Sequence, residues 1–215
     1  MANNDNFTIS FEGIEGYEGP LQGSTGGGLV PFQGLTFGRI TKIVAGESKT
    51  SSNKTLRFEI AIDEPEGKGY RVSKIQAVTG VRKDKKPNAL GLIDIFYSVY
   101  SGGAKSHEEA LGKARAHEGT SIDVEGLTSE LMDQTVWVSV KARKYLDEKT
   151  GREGWTTDLD NFISRFRYDE AKAAGVHHRP NPAESAKPAT ESVGQPVVSN
   201  GSAVTAAKGS ARTIL

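Results

Sequence analysis

The chain has 215 residues, 36% of them hydrophobic, and 27 Lys and Arg exactly offset by 27 Asp and Glu. It has no cysteine, which excludes disulfides and thiolate metal sites. Zero net charge gives no argument for a polyanionic partner, so charge has to be read segment by segment.

Residues 1–33 are polar and Gly-rich, with Gly-Ser-Thr-Gly-Gly-Gly at 23–28. Phe7, Ile9, Phe11 and Ile14 hint at one short strand, and the rest reads as a flexible N-terminal arm. From Leu35 the pattern changes. Residues 35–45 are rich in β-branched and aromatic types. A polar turn at 46–53 follows. In 54–63, Leu56, Phe58, Ile60 and Ile62 face one side, and Thr55, Arg57, Glu59 and Asp63 the other. That period of two predicts a half-buried antiparallel strand. Residues 70–79 read as a third strand.

A basic loop covers 80–89. Leu92, Ile95, Phe96 and Val99 then fall at helical spacing within 90–100. Ser106, with Glu109 three residues on, predicts a capped helix over 107–117. The strongest strand pattern is 135–145. Val136, Val138, Val140 and Ala142 share one face; Trp137, Ser139, Lys141, Arg143 and Tyr145 share the other. A loop at 146–154 joins it to a strand pattern in 155–167, and 168–175 suggests a short helix. After Gly175 the composition turns to Pro, Ala, Ser, Thr and Gly without aromatics. Such a segment buries too little apolar surface to offset chain entropy, so 176–215 is expected to be a disordered tail.

These elements predict a mainly β domain over 34–175. A five-stranded OB-like barrel with one or two inserted helices fits them; a β-sandwich or another open β-roll shares the same periodicity. No apolar run approaches the ~20 residues of a membrane span. The first residues lack the basic and apolar regions of a signal peptide. A soluble cytoplasmic protein with no membrane partner is expected.

Catalytic motifs are missing. There is no HExxH, no Gly-x-Ser-x-Gly and no phosphate-cradling Gly-x-x-x-x-Gly-Lys-Ser/Thr. The expectation is a non-enzyme without cofactor. Asp158 with Asp160, and His177 with His178, are pairs without further visible ligands, so no metal site is expected either.

The binding signal lies on 135–145. Trp137, Lys141, Arg143 and Tyr145 interleave aromatic and basic groups on one strand face. Bases of single strands stack on such rings while cations track the phosphates. The bland alternative is that Trp137 and Tyr145 pack under a neighbouring element. Residues 66–90 add Lys68, Arg71, Lys74, Arg82, Lys83, Lys85 and Lys86 against Glu66 and Asp84. Beside an aromatic-basic strand, a loop such as 82–86 can clamp phosphates.

The run Gly34-Leu-Thr-Phe-Gly-Arg-Ile40, followed by SKTSSNKTLRFEIAI to Ile62, resembles the opening of phage-encoded OB-fold single-stranded DNA-binding proteins. GKARAHEG at 112–119, the Leu131-x-x-Gln134 step into a Val-rich strand, KARKY at 141–145 and Thr150-Gly151 are similar to later parts of that family. The resemblance covers about 34–168. It implies sequence-tolerant single-stranded DNA binding in phage DNA replication, recombination or repair, in the host cytoplasm, beside replication or recombination proteins and with room for homo-oligomers. Trp137, Lys141, Arg143 and Tyr145 would line the groove; Arg39, Lys74, Arg82, Lys83, Lys85, Lys86, Arg165 and Arg167 would meet phosphates. The tail departs from the acidic tails common in such proteins, holding Lys187, Lys208 and Arg212 and ending Thr213-Ile214-Leu215. The competing expectation is a structural or assembly protein of a virion.

Overall fold

In the computed structural model, the described residues are 7–18, 25–27, 30–146, 151 and 153–182. The chain runs β1 (Thr8–Ser10), β2 (Thr25–Gly27), β3 (Phe32–Glu47), β4 (Lys54–Ile62), a 3-10 turn (Pro65–Gly67), β5 (Arg71–Ala77), α1 (Leu90–Ser101), α2 (His107–Arg115), β6 (Ser121–Asp123), α3 (Val124–Leu131), β7 (Thr135–Leu146), β8 (Glu153–Ile163), α4 (Arg165–Ala173) and β9 (His178–Pro180). The fold is mainly β, and every strand pairing is antiparallel.

The main sheet has seven strands in the order β2-β8-β7-β3-β4-β5, with β9 also on β3. β3 serves two partners: Gly34–Arg39 pairs with β7, and Gly38–Glu47 pairs with β4, with a bulge between Ile40 and Lys42. β5 comes against β2 and β8, but among the described residues no ladder joins them. The expected five-stranded OB-like barrel is therefore corrected to a larger antiparallel sheet that is not closed into a barrel. A side chain bridges the gap instead: Lys74 lies over the Phe162 ring and donates to the Asp160 carbonyl at 3.4 Å.

α1 fills the inner side of this sheet. Nearly all of Leu90–Ser98 is buried, as expected for a helix that is apolar all round. Its Leu92, Ile93, Ile95 and Phe96 join Leu56, Phe58, Ile60, Val136, Val138 and Phe162 in one core. α2 starts as its sequence predicts, with Ser106 Oγ accepting from the Glu109 amide at 3.2 Å. α3 has no counterpart in the sequence reading. Its signals are the Asp123 cap, which accepts from the Gly126 amide, and buried Leu127 and Leu131 one turn apart.

Both ends of the expected domain shift. Ile9, Phe11, Ile14 and Tyr17 belong to the core rather than to a loose arm. Tyr17 donates to Asp94 of α1 at 2.7 Å, and Arg115 of α2 donates to the Tyr17 carbonyl at 2.8 Å. Gly26 and Gly27, read as linker, pair with Asp158 and Thr157 of β8. At the other end, Gly34 pairs with His178 and Asn181 is buried, donating to the Val30 carbonyl at 2.8 Å. Described core and ladder residues thus lie on both sides of 34–175. A Cβ at Gly34 would lie 2.0 Å from the His177 carbonyl, so β9 needs glycine there. The remaining tail, 183–215, and the hairpin tip at 147–150 lie outside the described residues. Among the described residues no helix is long and apolar enough to cross a membrane.

Candidate nucleic-acid interface

The sequence puts Trp137, Ser139, Lys141, Arg143 and Tyr145 on one face of β7, and the burial pattern agrees, with Val136, Val138 and Val140 on the core side. On that outer face the exposure rises along the strand. Trp137 is 9% exposed and packs with Ile163, Tyr168, Leu35 and Phe37. Tyr145, at the far end, is 44% exposed and covers Gly154 of β8. The middle is charged. Lys141 Nζ lies 2.6 Å from Asp160, and Arg143 Nε lies 2.7 Å from Asp158. A bulge on β8 between Leu159 and Asn161 leaves Asp160 without a ladder partner, and both acids stand beside the β7 cations. The row therefore carries cations that each already face a carboxylate.

An open cleft of about 500 Å³ adjoins the Trp137 end. Phe37, Gly102, Gln134, Trp137, Arg165 and Tyr168 line it. Arg165 is held by its backbone, which donates to Ser101 Oγ at 2.8 Å, and by a guanidinium bond to the Ala104 carbonyl at 3.0 Å. Its Nε is buried, 3.9 Å from Asp169, and makes no hydrogen bond. Trp137 and Arg165, far apart in sequence, are thus brought together. Arg39 extends the same face: it pairs with Thr135 in the β3–β7 ladder and meets Asp63 at 2.9 Å.

The other expected contacts scatter. Lys74 departs from its expected exposed place. It is 7% exposed, and burial lowers the pKa of its ammonium, partly offset by Asp94 and Asp160. Arg82 pairs with Asp84 at 3.5 Å at the base of a tight loop closed by Val81 and Pro87. Lys83, Lys85 and Lys86 project from that loop into solvent. Arg167 lines a separate hollow with Tyr97 and His107. Trp155 pairs with Lys144, so it alternates to the face opposite Tyr145.

A second group of side chains lies around Glu64, just before the 3-10 turn. Glu64 is 1% exposed. Its Oε1 accepts from the Tyr168 hydroxyl and, at 3.3 Å, from the Lys172 ammonium, both on α4. Its Oε2 faces His178 Nε2 at 3.4 Å, and His177 Nε2 is 3.8 Å from Oε1. Burial by itself raises the carboxyl, but the His178 imidazole, the Tyr168 hydroxyl and Lys172 outweigh it and hold it at about 2. Glu64, His177 and His178 are the described residues that could hold a metal ion, their ligand atoms all within 4.8 Å of one another. The adjacent histidines are visible in the sequence; Glu64 is not, because it joins them from more than a hundred residues away.

Comparison with protein-family models, with curated proteins and with solved structures returned no match.

Proposed function

We propose that this protein binds single-stranded DNA along the outer face of β7, without reading sequence, in support of phage DNA replication, recombination or repair. The observation that carries this reading is the continuity of one face. The Trp137–Arg165 cleft opens at one end of a row that continues through Lys141 and Arg143 to the exposed Tyr145. From Trp137 to Tyr145 the strand spans roughly 26 Å at about 3.3 Å per residue, a length that accommodates about four nucleotides, the lower end of site sizes for small β domains.

The chemistry suits a single strand. An unpaired base can stack on the Tyr145 ring or enter the cleft against the Trp137 edge and the Arg165 guanidinium; a paired base presents no free face. Phosphates would compete for Lys141 with Asp160. Exposed ion pairs are worth only about 0–1 kcal/mol, so that exchange costs little. Arg143 has a buried partner in Asp158 and stays in place as a fixed donor. Lys83, Lys85 and Lys86, exposed on a loop outside this row, would add further phosphate contacts.

The test is a gel shift with labelled oligo-dT against a duplex of equal length at low salt. The reading expects a shift with the single strand at lower protein concentration than with the duplex. Equal affinity for both, or no shift of the single strand, would overturn it.

A further inference from the structure

We propose that Glu64, His177 and His178 bind a divalent metal ion of the zinc type, which fastens the segment after α4 to the sheet. Three observations point to a ligand at this place. First, the donor set is one carboxylate and two imidazoles, a set suited to zinc and its neighbours. Second, Glu64 Oε2, His177 Nδ1 and His178 Nε2 are buried atoms without a hydrogen-bond partner. Buried polar atoms are seldom left so, since each forfeits hydration without a replacement. One cation coordinated by Oε2 and by an imidazole nitrogen of each histidine would give the carboxylate oxygen and both rings a partner at once. Third, the spacing is close to what an ion imposes. Ligands about 2.0–2.1 Å from a tetrahedral zinc sit roughly 3.3 Å apart. Glu64 Oε2 and His178 Nε2 are 3.4 Å apart, and each of the three residues offers a ligand atom within 4.8 Å of those of the other two.

The surroundings orient these groups as outer partners orient metal ligands. Tyr168 and Lys172 occupy Oε1 and so leave Oε2 for the ion. Lys172 brings an opposing charge; it approaches from the Oε1 side, and its side chain is half exposed. The His178 ring is stacked between Phe32, at 3.9 Å, and His177, at 4.2 Å. The Glu64 backbone is set by the turn, whose Gly67 amide donates to its carbonyl at 2.9 Å. The three ligands come from two distant parts of the chain, the β4–β5 connection and the start of β9 with the residue before it. A shared ion would close that loop, and the fourth coordination position would be left to water.

The experiment uses the full chain without a histidine tag, stripped with EDTA. Titration with ZnCl2 followed by calorimetry should show one equivalent bound. CoCl2 should give the visible absorption of four-coordinate cobalt. Zinc at about a hundred times its dissociation constant should raise the melting midpoint by roughly 5–10 °C, reversibly with EDTA. His177→Gln and His178→Gln, checked for folding by circular dichroism, should each abolish the stoichiometric uptake and the cobalt spectrum, while His107→Gln should retain both. Absence of stoichiometric zinc and cobalt uptake by the unaltered protein would overturn the proposal. So would uptake that survives in the His177→Gln, His178→Gln double variant.

Discussion

Ser98 Oγ makes two hydrogen bonds to the backbone of one residue: it donates to the Trp137 carbonyl at 2.9 Å and accepts from the Trp137 amide at 2.8 Å. Helix α1 is thereby tied to β7 at the position where the proposed interface begins. Ser98 is fully buried, so water does not replace it. Ser98→Ala leaves a buried donor and a buried acceptor unmet, each at about 1–3 kcal/mol. The expected outcome is a loss of about 2–4 kcal/mol, measured by urea denaturation. A change under 0.5 kcal/mol would show that the two bonds are replaced on mutation.

Gly102 gives a way to close the cleft without touching its polar groups. A Cβ at this position would lie 2.8 Å from the outer edge of the Trp137 ring. The backbone there is ordinary right-handed helix, so alanine is acceptable to the chain and the indole has to move. Gly102→Ala should shift the Trp emission maximum, weaken oligo-dT binding several-fold, and cost about 1–3 kcal/mol of stability, as overpacking does. Unaltered binding alongside a shifted emission would remove the cleft from the interface.

His117 supplies a pH dependence of known sign. Its ring stacks on Phe96 at 3.8 Å, and its Nε2 meets the Tyr100 hydroxyl at 2.8 Å. Burial lowers its affinity for a proton, and the charge of Glu130, 3.6 Å away, recovers part of that loss. The unfolded chain then binds the proton more readily than the folded one. The stabilising contribution is present above the ordinary histidine value of about 6.5 and is lost as pH falls below it. Urea midpoints compared at pH 7.5 and pH 5 should drop more for the unaltered protein than for His117→Gln. An equal drop would assign the acid sensitivity to other groups.

The strands and helices with strong periodicity were legible in the sequence: β4, β7, α1 and the Ser106-capped α2 stand where the residues put them. What the sequence concealed depends on long-range pairing. Ile9 and Tyr17 look like decoration on a Gly-rich arm until α1 and α2 offer them a core and Asp94 offers a hydrogen bond. His178 and Asn181 sit in a tail-like composition, yet β3 supplies a ladder for His178 and the carbonyls of Pro31 and Val30 accept from Asn181. Closure into a barrel was unreadable because periodicity gives each strand two faces and says nothing about which edges meet. The interface was half legible. Alternation placed Lys141, Arg143 and Tyr145 on one face. It did not reveal that Asp160 and Asp158 stand beside the two cations, since that depends on a bulge in β8. The inward turn of Lys74 was within reach: it shares the parity of Val72 on β5, which is buried.

The most direct test of single-strand binding is the affinity for labelled oligo-dT measured by anisotropy across a salt series. The proposed interface predicts that affinity falls steeply with salt. Tyr145→Ala should cost about 1–3 kcal/mol, the worth of one stacked base. Replacing Lys83, Lys85 and Lys86 by glutamine should lower the salt slope by about 2, from roughly 0.7 per phosphate contact removed. Binding that is indifferent to salt and to all four residues, or no binding at low salt, would contradict the account.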